Sequence, residues 1–124
     1  MKRWWKRPRG IVVDGAVWRW SVLDRPRYRE LRVYRAGEKR LAFQLRLTYP
    51  ECWAIDLFRP KTAAYVIGWH EGQGRREPAS YLLRQEPALL EGLLDLFFTP
   101  EEQEQREWFL ERIQVSPPPC KWEC

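Results

Sequence analysis

At 124 residues the chain is long enough for one domain around one core and too short for two ordinary ones. Its 44% hydrophobic content excludes a disordered chain, no run approaches the roughly 18–20 apolar residues of a membrane-spanning helix, and three cysteines do not make a secreted disulfide framework. The net charge of +5 conceals a division by position: residues 1–46 hold 14 Lys and Arg against 4 Asp and Glu, whereas residues 47–124 hold 8 against 13.

Residues 1–9 read as a basic arm with no periodicity. They are charged like the start of a signal peptide but lack the apolar stretch of roughly 7–15 residues that should follow, so a cytoplasmic location is expected. From Ile11 the pattern becomes strand-like. Ile11, Val12 and Val13 precede Asp14 and Gly15, a strong two-residue hairpin signal. The next strand follows over residues 16–23, with Trp18, Trp20 and Val22 on one face at period two. Asp24, Arg25 and Pro26 break it. A third strand spans residues 28–35, with Leu31 and Val33 facing one way and Tyr28, Glu30, Arg32 and Tyr34 the other. After a turn at Gly37, the fourth strand alternates most clearly: Leu41, Phe43, Leu45, Leu47 and Tyr49 against Ala42, Gln44, Arg46 and Thr48, with Pro50 ending it. Residues 52–58 read as a shorter fifth strand with Trp53, Ile55 and Leu57 facing the core.

The period then changes. Pro60 suits the first turn of a helix in which Ala63, Val66, Ile67 and His70 share one side, closed by Gly72 and Gly74. Residues 79–86 are ambiguous. Pro87 opens an apolar helix with Leu90, Leu93, Leu94 and Phe97 as its stripe. Thr99, Pro100 and Glu102 form a capping box for a last helix that runs to about Gln114 and buries Trp108, Phe109 and Ile113. Three prolines follow. The fold expected is α+β: an antiparallel meander of about five strands over residues 11–58, followed by two or three helices packed on one face. Residues 10–115 form the domain, between the arm and a tail at residues 116–124.

Eight Trp exceed what a core of this size needs, and surface Trp and Tyr anchor interfaces and stack on bases. Arg outnumbers Lys by 17 to 5, which fits bidentate recognition of phosphate or carboxylate and equally fits a coding bias. If the strands pair in order, Arg19, Arg32, Tyr34 and Arg46 share the wet face of the sheet, with Tyr28 at its edge. Arginine beside aromatics on an open sheet is a recipe for single-stranded nucleic acid; a solvated face is the plainer explanation. The arm offers Lys2, Arg3, Trp4, Trp5, Lys6, Arg7 and Arg9 to phosphates or to an acidic protein surface. The last helix carries Glu101, Glu102, Glu104, Glu107 and Glu111 on its exposed side, so basic and acidic halves of two copies could also attract.

Chemistry-bearing residues are sparse. Cys120 and Cys124 stand at a spacing used by some zinc half-sites, but a tetrahedral site needs two more ligands, and nothing local pairs Cys52 with His70. His70 beside Glu71 suggests a general base with Cys52 as nucleophile, yet neighbouring residues on a helix do not face each other. Asp56, Glu51 and Glu71 are a thin set for a carboxylate-only site. No phosphate loop or nucleophile elbow is present. The sequence therefore points to a non-enzymatic binding protein without metal or cofactor. It contacts nucleic acid through the arm and the Arg/Tyr face or, alternatively, acts as a small accessory or inhibitor subunit docking on a larger protein through surface Trp and Arg.

Overall fold

The computed structural model describes residues 8–114 in full and the backbone of residues 3–4 and 115. The remaining arm and tail residues, including Lys2, Trp5, Lys6, Arg7, Cys120 and Cys124, lie outside the described residues. The strands are β1 (Arg3–Trp4), β2 (Arg9–Val13), β3 (Ala16–Asp24), β4 (Tyr28–Arg35), β5 (Leu41–Thr48) and β6 (Ala79–Leu82). Among the described residues there are four α-helices: α1 (Tyr49–Ala54), α2 (Pro60–Gln73), α3 (Pro87–Phe97) and α4 (Gln103–Val115).

The sheet is α+β in character and mostly antiparallel, as the alternation predicted. Asp14 and Gly15 both take positive φ, 51° and 80°, and turn β2 into β3 with Val13 opposite Ala16. β4 and β5 continue the meander. One edge of β3 is taken by β4, so β1 and β2 share the other edge, giving five lanes of strand. The last lane is β6, which runs parallel to β5 with Leu45 opposite Tyr81. Parallel neighbours need a long crossover, and α1 and α2 supply it.

Here the structure corrects the sequence reading. Residues 52–58 are not a fifth strand; α1 occupies their first half. Thr48, Pro50 and Glu51 form a capping box in which the Glu51 carboxylate accepts from the Thr48 backbone N–H at 3.1 Å and from its hydroxyl. This box fixes a helix turn directly after β5 and overrides the apolar alternation. Ile55 and Leu57 are buried as expected, but Trp53 points outward at 63% exposed. The fifth lane is supplied instead by the ambiguous segment, as β6.

One face of the sheet carries the core. Trp18, Trp20, Val22, Leu31, Val33, Phe43, Leu45 and Leu47 meet Ala63, Val66 and Ile67 of α2, Leu89, Leu90, Leu93 and Leu94 of α3, and Ile113 of α4. Each large apolar side chain fully buried there contributes roughly 1.5–3 kcal/mol. Gly92 allows close packing of α2 on α3, because any Cβ at that position would collide with the Tyr65 hydroxyl. The Thr99 box precedes α4 as read from the sequence, with Glu102 accepting from the Thr99 N–H at 2.8 Å. α4 buries Ile113 and half-buries Phe109, but Trp108 lies on its outer side at 48% exposed, against expectation. α4 touches the layer beneath it through one narrow stripe, which leaves Trp108 outside it.

The two capping boxes differ in burial, and that difference is measurable. Glu51 is buried and also accepts from Arg84 Nη2 at 2.9 Å, whereas the Thr99 box is exposed. In urea unfolding, Glu51→Ala is expected to cost about 3 kcal/mol, the scale of breaking a buried ion pair. Thr99→Ala is expected to cost about 1 kcal/mol, an ordinary cap.

Candidate functional site

The strand register decides what the expected arginine face can do. Arg19 stands opposite Tyr34, and Arg32 opposite Gln44. Glu30 stands opposite Arg46 and Tyr28 opposite Thr48. Arg19, Arg32, Tyr34 and Arg46 therefore do share the face turned away from the helices. Glu30, however, sits between two of the guanidinium groups and is 1% exposed. It accepts from Arg46 at 3.0 and 3.2 Å and from Arg32 at 2.8 Å. Arg46 is itself buried, with its guanidinium carbon 3.8 Å from the Tyr28 ring centre. The expectation that Arg46 lies open to track phosphates is thus corrected: the carboxylate across the strand pair draws it down. Arg32 remains partly exposed. Arg19 donates to the Glu38 carbonyl at 2.6 Å and lies 5.5 Å from the Tyr34 ring centre. Of the arm, Arg3 and Trp4 lie in β1 opposite Asp24 and Leu23, and Arg9 opens β2 opposite Trp20.

A second cluster, built across the core-facing side, joins residues that the sequence reading left apart. α2 carries His70 on its buried side, at 2% exposed and stacked on Phe43 with 4.2 Å between ring centres. His70 Nδ1 lies 2.6 Å from the Tyr81 hydroxyl, and Nε2 lies 2.9 Å from Glu77 Oε2. Glu77 also accepts from Arg35 at 2.8 and 3.0 Å, and Arg35 reaches Glu71 at 3.0 Å. The Arg35 guanidinium lies over Trp18, 4.3 Å from the ring centre. The hydrogen-bonded groups thus come from four parts of the chain: β4, α2, the loop before β6, and β6 itself. His70 Nε2 meets Glu77 rather than its sequence neighbour Glu71. The sequence reading missed Glu77, whose only local mark is its place before Pro78.

The electrostatics follow from these contacts. Hydrogen bonds from Arg35 hold the Glu77 carboxyl below its ordinary value of 4.5; His70 adds to this and partial burial opposes it. Burial raises the Tyr81 hydroxyl, so it stays protonated and available as a donor. Burial also pushes the Cys52 thiol up to about 12. The thiolate is the nucleophilic form of cysteine, and burial disfavours it at Cys52, whose Sγ donates to the Leu47 carbonyl at 3.7 Å. Among the described residues, one group of three metal-capable side chains occurs: His70, Glu71 and Glu77, with one ligand atom of each within 4.8 Å of the others.

The helical layer exposes a different chemistry. Trp108 lines an open depression with Glu101, Glu102, Glu104 and Gln105. Its ring is flanked by Phe109, at 4.9 Å between ring centres, and by the Arg112 guanidinium at 4.7 Å. Glu101, Glu104 and Glu111 are exposed and form no ion pair among the described residues. Trp53 is exposed on α1, which packs against α4. Among the described residues no helix is long and apolar enough to cross a membrane. Compared with protein-family models, curated proteins and solved structures, the chain has no significant match.

Two outcomes test this geometry. Glu30→Ala strips the shared carboxylate from beneath two guanidinium groups and is expected to cost about 3–5 kcal/mol in chemical unfolding, well above Arg32→Ala. A depressed carboxyl contributes stability that is complete above its unfolded value and is lost as pH falls through its folded value. The melting-temperature gap between the wild type and Glu77→Gln, followed by circular dichroism, should therefore be widest near neutrality. It should close as pH drops below about 4.5.

Proposed function

We propose that this is a non-enzymatic binding protein, a small accessory or inhibitor subunit that docks on a protein partner through the aromatic and acidic surface of its helical layer. The observation that carries this reading is Trp108, exposed beside carboxylates that no cation of the described chain neutralises. Tryptophan is strongly enriched among interface hot spots. A carboxylate rim suits a partner segment rich in Lys and Arg, whose charges would steer association and fix its orientation. Trp53, on the neighbouring helix, extends the same kind of surface.

The nucleic-acid reading loses part of its footing on the sheet, because Arg32 and Arg46 share Glu30. One observation still favours it. The parallel register of β5 and β6 brings the turn before β5 and the loop before β6 to the same end of the sheet. There Lys39, Arg40, Arg75 and Arg76 are exposed and form no ion pair among the described residues. Such a rim would hold a phosphate backbone without reading sequence, with binding that weakens steeply in salt.

The two readings separate in one pair of assays. Co-purification with the wild type, Trp53→Ala and Trp108→Ala should recover a specific partner with the wild type and lose it with Trp108→Ala, the fold remaining intact by circular dichroism. Fluorescence anisotropy with single-stranded RNA should stay flat at low salt. Sub-micromolar, salt-sensitive RNA binding that falls when Arg40 and Arg76 become Ala, together with indifference to the Trp variants, would replace the protein-partner reading with the nucleic-acid one.

A further inference from the structure

We propose that His70, Glu71 and Glu77 form a binding site for a divalent transition-metal ion, closed in this structure by the Arg35 guanidinium. One imidazole and two carboxylates suit a borderline cation such as zinc. His70 already meets the most demanding condition. Its ring is buried and stacked on Phe43, and Nδ1 is tied to the Tyr81 hydroxyl at 2.6 Å, which leaves Nε2 aimed at the carboxylates. Ligating histidines are commonly oriented through their second nitrogen in this way.

The spacing is close to what a cation needs. Nε2 and Glu77 Oε2 are 2.9 Å apart. Two donors bound at roughly 2.0–2.1 Å in a tetrahedral site are about 3.3 Å apart. Glu71 stands farther off, within 4.8 Å. It projects from the last turn of α2 and is half-exposed; binding requires its side chain to rotate toward Nε2.

Arg35 occupies the place of the cation. Its Nη2 bonds Glu71 at 3.0 Å and Glu77 at 2.8 Å, which supplies the positive charge that two neighbouring carboxylates require. A divalent ion supplies the same compensation through the same oxygens, so guanidinium and metal compete. The Arg35 guanidinium makes its carboxylate bonds while lying over Trp18, 4.3 Å from the ring centre. A second guanidinium, Arg75, lies 5.2 Å from the Tyr81 ring centre. The tautomer with its proton on Nε2 satisfies both present contacts of His70; with metal on Nε2 the ring proton resides on Nδ1 and donates to the Tyr81 oxygen.

His70 is the single histidine of the chain, so every imidazole signal reports on this site. The test uses the full chain carrying Cys120→Ser and Cys124→Ser, which removes competing thiols. Zinc alone is titrated, followed by long-range proton–nitrogen NMR of the imidazole and by calorimetry. The expected result is one equivalent bound, with the Nε2 resonance displaced. Glu71→Gln and Tyr81→Phe should each weaken binding about tenfold or more, and Arg35→Gln should tighten it about tenfold. Imidazole signals that stay in place under a large excess of zinc would overturn the proposal. So would zinc affinity indifferent to both Glu71→Gln and Arg35→Gln; both of these side chains are partly exposed, so neither substitution threatens the fold.

Discussion

The parallel pairing of β5 with β6 is the constraint from which the rest of this molecule follows. Antiparallel neighbours can be joined by a two-residue turn, but parallel ones require the chain to return to its starting end. The return is made by α1 and α2, and it forces α2 across the core face of the sheet. That placement sets His70 against Phe43 of β5 and Tyr81 of β6. The loop that re-enters the sheet then brings Glu77 onto His70 and within reach of Arg35 on β4. A charged network spanning four parts of the chain is thus a by-product of adding one short strand.

The division of charge along the sequence resolves into particular pairs. In the basic first third, Arg29 pairs with Asp24, and Arg32 and Arg46 pair with Glu30, all within the meander. Arg35 crosses to the acidic part, meeting Glu71 and Glu77. Later in the chain Arg84 serves Glu51, and Arg106 serves Glu91 and Asp95. Among the described residues these pairs leave, with other charges, a basic rim of Lys39, Arg40, Arg75 and Arg76 at one end of the sheet and the exposed Glu101, Glu104 and Glu111 on the helical layer.

Much of the fold was legible because alternation and capping are local. The Asp14–Gly15 turn, the three long strands and the Pro-started helices could each be read from a window of ten residues. The fifth strand was misread because two local signals competed over residues 48–58. Trp53, Ile55 and Leu57 alternate, but Thr48 and Glu51 form the same box that was recognised at Thr99 and Glu102. A cap that satisfies backbone donors outweighs the direction of three apolar side chains. β6 was illegible because four residues carry too little periodicity and its partner lies far away in sequence. The arginine face was half legible. Alternation correctly gives the direction of Arg46, but whether it reaches water depends on the cross-strand neighbour, and Glu30 becomes that neighbour only once the register is known. Glu77 was invisible for the same reason, since its meaning comes from His70 and Arg35 meeting it.

The crossover also bears on the order in which the molecule assembles. The meander needs only short loops, whereas β6 can pair only after the segment 49–78 has been closed against it. The entropy of closing a loop grows with its length, and distant contacts are not rewarded until that cost is met. β6 therefore belongs among the costliest contacts to establish. Tyr81 reaches His70 only once this strand has docked, and any excursion that releases the strand removes that contact from the buried histidine.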